Sequence, residues 1–173
     1  MKSYPFLLAA VAATSLLAAC IKSDLDDYDA WREQNDECLS KIDTREYELI
    51  VPDWAPQNSV YIKWHNDRAL TANNLVAMSN STVDIKYELE DIDGNKYENT
   101  YSNTDSIYRS KPNENVLGMW IAMTTMHVGD SATVVIPYPS GYGSTGNIKI
   151  KPYTNLIFHM KIKDIKAFER PLN

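Results

Sequence analysis

The sequence predicts an α+β domain in which one short helix sits among mainly antiparallel strands, with a further helix ahead of them. Three observations carry this. Thr82-Val83-Asp84-Ile85-Lys86-Tyr87-Glu88-Leu89 alternates apolar and polar residues, as a half-buried strand does. Val116 to Met126 is a single short apolar stretch, ended on its C-terminal side by Val128-Gly129-Asp130. The strand-like runs around it do not alternate with further helices, so the βαβ pattern of a parallel sheet is missing.

The elements follow in chain order. Residues 1–20 read MKSYPFLLAAVAATSLLAAC, with one charge at Lys2 and an apolar run from Phe6 to Ala19. That run is shorter than the ~20 residues of a membrane span. Residues 1–19 are therefore expected to be a secretory signal peptide outside the fold. Small residues before Cys20 resemble the bacterial lipobox, where cleavage precedes the cysteine and lipid joins its sulfur. Cys20 is the expected lipidation site; the plain alternative is an ordinary cleavage site with a chance cysteine. Several acyl chains would anchor the protein without spanning the membrane. Asp24, Asp26 and Asp27 then form an acidic cluster, which resembles the surface-export signals of Bacteroidetes lipoproteins or is a solvated spacer. The expected location is the cell envelope, on the periplasmic or surface face of the outer membrane.

Residues 24–43 are expected to be helical, with Asp26, Asp27 and Asp29 suiting its N-terminus. Tyr28, Trp31, Cys38, Leu39 and Ile42 leave a partly apolar face. Cys38 would be a single thiol, buried on that helix. Residues 20–58 thus hold the lipidated cysteine, an acidic tether and an accessory helix; residues 59–173 form the main domain. Val60 to Trp64 is a β-rich run, and Asp93-Gly94 turns the chain from the 82–89 strand into Lys96-Tyr97. Ala132 to Ile136 reads as a strand, Pro137 to Lys151 as a loop, and Asn155 to Ile165 as a last strand. In that strand Leu156, Phe158, Met160 and Ile162 share one face. A long ordered loop in a compact domain is usually functional.

Composition narrows function. Of 173 residues, 44% are hydrophobic and 23% charged, the balance of a folded soluble chain. A net charge of -6 argues against nucleic-acid binding. His65, His127 and His159 lack zinc-ligand spacing. No nucleophile elbow, phosphate loop or zinc-protease motif occurs. Asp91-Ile92-Asp93-Gly94 reads as a β-turn rather than a calcium loop. No metal or cofactor is expected.

Five segments go further. They are Val83 to Tyr87, Asp93 to Thr100, Val116-Leu117-Gly118-Met119-Trp120, Met126-His127-Val128-Gly129, and Gly141-Tyr142-Gly143 with Pro152 to Phe158. In this order they resemble the FKBP-type peptidyl-prolyl isomerases, with their V-x-V-x-Y, D-G-x-x-F-D-S-S, V-I-x-G-W, M-x-V-G, A-Y-G and P-x-A-T-L-x-F patterns. The resemblance covers roughly residues 59–168, with the helix and the long loop each one residue short. It implies a five- or six-stranded antiparallel sheet wrapped around one helix, with a pocket between them. Catalytic residues would be Tyr87, Tyr97, Glu98, Trp120, Tyr142 and Phe158, with Trp120 as the floor. Ile107, Val116, Leu117, Asn147 and Ile150 would bind substrate. For Trp120 and Phe158 the alternative is plain core packing.

The implied activity is isomerisation of X-Pro bonds, whose unaided barrier is ~18–20 kcal/mol. It needs no nucleophile. The implied partners are proline-containing peptides or unfolded exported proteins, with the membrane reached through the lipid and the N-terminal helix open to pairing two chains. The alternative is a catalytically weak peptide-binding or chaperone module of the same fold. Departures bear on this choice. Tyr97-Glu98 stands for the family's Phe-Asp, Ile107 (with Tyr108 beside it) for an aromatic wall, Asn147 for a frequent His, and Met119 for the Gly before the tryptophan.

Overall fold

A computed structural model describes residues 28–102 and 106–167. The signal peptide, Cys20 and the acidic run to Asp27 lie outside the described residues. Among the described residues there are seven strands and two α-helices: α1 (Asp29–Ser40), β1 (Glu48–Ile50), β2 (Val60–Trp64), β3 (Thr82–Glu90), β4 (Lys96–Asn99), β5 (Tyr108–Ser110), α2 (Leu117–Thr125), β6 (Ser131–Ile136) and β7 (Leu156–Ala167). All strand pairings are antiparallel. The order across the sheet is β1-β2-β6-β7-β3-β4, and β5 also pairs with β3.

The count exceeds the expected five or six for two reasons. β1, from the segment before Ser59, adds an edge to β2. At the other edge β5 pairs with Val83–Ile85 and β4 with Glu88–Glu90, so two short strands share one position along β3. Strands of three residues carry too little alternation to be read from sequence.

β3 and β7 form the centre, and their period-2 patterns aim alike. Val83, Ile85, Tyr87 and Leu89 are buried, and so are Leu156, Phe158, Met160 and Ile162. α2 buries Met119, Ile121, Ala122 and Met123 in the same core cluster as these strands. Gly118 permits the close approach. A Cβ there would stand 2.1 Å from Ile136 Cγ2, so any side chain must force α2 off the sheet.

Two buried carboxylates tie the loops. Asp91 is 3% exposed. It accepts the Asp93 and Asn95 amides, the Asn95 side-chain amide and the Tyr97 hydroxyl at 2.8–3.0 Å. Gly94 at φ +79° completes that turn. Asp130, fully buried, accepts the Thr71 hydroxyl at 2.5 Å, the Asn66 amide at 3.1 Å and the His127 N–H at 2.8 Å. The β-turn reading of residues 91–94 therefore holds.

The accessory helix is docked on this domain. The predicted span of 24–43 narrows to Asp29–Ser40 among the described residues, with Lys41 as its C-cap. Its anchor is polar. Asn35 is completely buried; its side-chain oxygen accepts the Asn155 N–H at 2.8 Å, and its carbonyl accepts the Asn155 amide at 2.7 Å. Trp31 Nε1 donates to Thr154 Oγ1 at 2.9 Å. Cys38 is half-buried rather than buried, and burial raises its thiol pKa.

Candidate functional site

A cavity of about 300 Å³ lies between β3, β7, α2 and the loop after β6. That is the lower end of small-ligand pockets. Its floor is apolar and buried: Leu89, Met119, Phe158 and Tyr87 are each 5% exposed or less. Its mouth is polar, formed by the exposed Glu98 and Glu114 with Tyr108, Asn115 and Tyr142. Val116 completes the lining.

The sheet register places these groups. Leu89 faces Phe158 across β3 and β7, and Tyr87 lies two residues earlier on the same face. The Tyr87 and Phe158 rings are tilted at 5.4 Å, and Tyr108 meets Tyr87 edge-on at 5.5 Å. The Tyr87 hydroxyl donates to Glu98 Oε2. Burial first, then that bond and the Glu98 charge, drives the Tyr87 pKa far above its usual range. Tyr142 is also raised, by burial and by the Glu98 charge. Both hydroxyls therefore stay protonated at neutral pH, and that of Tyr87 is a hydrogen-bond donor.

The structure brings together Tyr87, Glu98, Val116, Tyr142 and Phe158. It puts the other expected residues elsewhere. Trp120 does not line the cavity; it stacks on Trp54 at 4.6 Å and borders a separate open groove with Ala77 and Met78. Met119 supplies the floor instead. The match of Gly118-Met119 to the family's G-W also removes the missing residue in the helix, because it restores the spacing to Met126-His127-Val128-Gly129. Tyr97 turns away and braces the Asp91 turn; burial and the Asp91 bond push its pKa up to about 12. Ile107 is 44% exposed, and its neighbour Tyr108 takes the wall position. Ile150 is 3% exposed within the core. Asn147 accepts the Lys149 and Ile150 amides and so shapes the loop, but its side chain also meets the Tyr142 hydroxyl, so it stays beside the cavity. Leu117 packs on the core; as the first residue of α2 its N–H has no intrahelical acceptor. Glu114, Asn115 and Leu89 are lining residues that motif reading missed.

The histidines do not converge on one point. His65 Nε2 and His159 Nδ1 each lie 3.0 Å from Thr133 Oγ1, while His127 meets Arg68 at 2.8 Å. Among the described residues no group of His, Cys, Asp or Glu is placed to hold a metal. No helix among them is long and apolar enough to cross a membrane.

A family model for FKBP-type peptidyl-prolyl cis-trans isomerases matches residues 75–163, just over half of the chain. No curated protein sequence matches. Among solved structures, the chain is similar to FkpA from Escherichia coli, with a TM-score of 0.62 and 19% identity over 83% of this chain. It spans 61% of that FkpA chain. A peptidyl-prolyl cis-trans isomerase from Pseudomonas syringae gives a TM-score of 0.65 at 15% identity, covering 81% of this chain and 96% of its own. The N-terminal domain of FKBP42 from Arabidopsis thaliana gives 0.57 at 18%, covering 73% and 96%.

Proposed function

Because the chain belongs to the FKBP-type peptidyl-prolyl cis-trans isomerase family, we propose that its cavity isomerises X-Pro bonds in exported proteins and so assists their folding. The observation that carries this is the buried, mainly apolar floor of Leu89, Met119, Phe158 and Tyr87 beneath a polar mouth. The transition state is a twisted amide with less C–N double-bond character and less charge separation than the planar amide. An apolar floor favours the less dipolar state, and binding energy from the proline ring is turned to that end. The Tyr142 hydroxyl on the mouth would hold a substrate carbonyl. The Leu117 N–H, beside Val116 on the lining, would hold a second. No proton transfer is required, so the cavity needs no general acid or base.

One observation favours the weaker alternative, a peptide-binding module of low turnover. Met119 sits where the family pattern has tryptophan. Met is flexible and polarizable, so it caps the floor with a less rigid surface than an indole.

The chain is read as a lipoprotein anchored through Cys20 in the cell envelope. Two experiments test the whole. The protein should accelerate refolding of a proline-limited exported protein; an unchanged rate from folded protein would favour the binding module. Cys20→Ser should move the chain from the membrane fraction to the soluble one, and retention on the membrane would contradict the anchor.

A further inference from the structure

We propose that the cavity selects prolines flanked by cationic residues, through Glu98 and Glu114 at its mouth. This rests on the isomerase reading of the same cavity. The two carboxylates come from separate elements: Glu98 from β4, and Glu114 from the short 3₁₀ turn Pro112–Glu114 before α2. Both side chains are exposed and both line the cavity, whereas among the described residues no Lys or Arg lines it. One oxygen of each is already used. Glu98 Oε2 accepts the Tyr87 hydroxyl, and Glu114 Oε2 accepts the Lys111 N–H at 3.2 Å. These bonds hold the carboxylates in place.

A proline ring seated on the Met119 and Phe158 floor leaves its neighbouring residues at the mouth, within reach of both charges. A Lys or Arg there is attracted, and a Glu or Asp is repelled. The net charge of -6 gives the long-range field the same sign. Lys149 borders a shallow depression beside Glu98, outside the cavity lining. Exposed charges act weakly one at a time. Two acting together, on substrates that differ by two charges at each flanking position, should give about a tenfold difference at low ionic strength. The difference should shrink with salt, because the Debye length falls to roughly 3 Å at 1 M.

The test uses the full chain and matched peptides carrying Lys, Gln or Glu on both sides of one proline. Isomerisation gives kcat/KM, and calorimetry measures binding separately. The order Lys over Gln over Glu is expected, with the Lys-to-Glu ratio near tenfold at low salt and within about twofold in 1 M salt. The Glu98→Gln/Glu114→Gln protein should bring that ratio within about twofold at low salt too. Equal rates and equal binding across the peptides would overturn the proposal, as would a preference that survives the double substitution. Lys preference in binding with no turnover of any peptide would support the selectivity and overturn the isomerase reading.

Discussion

Adjacent residues on α2 serve opposite sides of the molecule. Met119 is 2% exposed and looks into the cavity. Trp120 is half-buried and looks outward, its ring tilted 31° against that of Trp54. In a 3.6-residue helix one step rotates a side chain by roughly 100°, enough to change a substrate contact into a surface clamp. The difference teaches that in a helix this rich in apolar residues, residue type does not identify the working face. Trp120 has the chemistry of a pocket floor, but Met119 has the place.

The largest effect expected from breaking this comparison is on Met119. Met119→Ala should cost about 2–5 kcal/mol of stability, because it opens a void in a closed core. Trp120→Ala loses an exposed stack and should cost about 1–3 kcal/mol. Denaturant unfolding measures both. The sharper contrast is activity per folded molecule: Trp120→Ala should stay within about twofold of the native rate, and Met119→Ala should not.

Met119→Trp sharpens the comparison in the other direction. An aromatic floor should raise kcat/KM about two- to tenfold, the worth of one aromatic contact. A fall in rate with the fold intact would mean that the cavity is already full. Tyr142→Phe removes one donor from the mouth and should lower the rate about threefold to tenfold with unchanged stability, as read by steady-state kinetics.

The smallest effect at neutral pH concerns the scaffold. Arg109, bonded in a fork to Asp84 at 2.6 and 2.9 Å, lowers the Asp84 pKa. For Asp91 burial alone would raise it, but bonds from Asn95, Tyr97 and two amides outweigh burial and the net pKa is lowered. A carboxylate depressed in the folded state stabilises above its unfolded pKa of about 3.9, and that stability is lost as pH falls through the lower folded value. Stability contributed by these groups should therefore be level from pH 7 to about 5 and fall below about 4. Thermal unfolding across pH 2–7 checks this. Because Tyr87 and Tyr142 are both raised, neither should limit the rate on the alkaline side below about pH 9.

The sheet was legible because its central strands have one wet face and one dry one. Val83 to Leu89 and Leu156 to Ile162 alternate, and every residue expected inside is buried. The motif residues Tyr87, Glu98, Val116, Tyr142 and Phe158 stand on or beside that framework, so spacing located them. From Leu117 to Met123 α2 has no polar side chain, and periodicity cannot phase such a stretch; hence Trp120 is expected where Met119 is. Tyr108 was hidden by the brevity of β5. Asn35 was hidden by its type: a polar residue on a short helix reads as solvated, and only its partner Asn155, far along the chain, makes it the anchor. Tyr97 was assigned to the pocket by motif, but the buried Asp91 claims its hydroxyl.

The most direct test is the isomerisation rate of one X-Pro peptide with native protein, Trp120→Ala and Phe158→Ala, each normalised to folded fraction. The account expects a clear acceleration by native protein, kept within about twofold in Trp120→Ala and lost in Phe158→Ala, whose ring forms the floor. No acceleration by folded native protein, or loss in Trp120→Ala with Phe158→Ala still active, would contradict it.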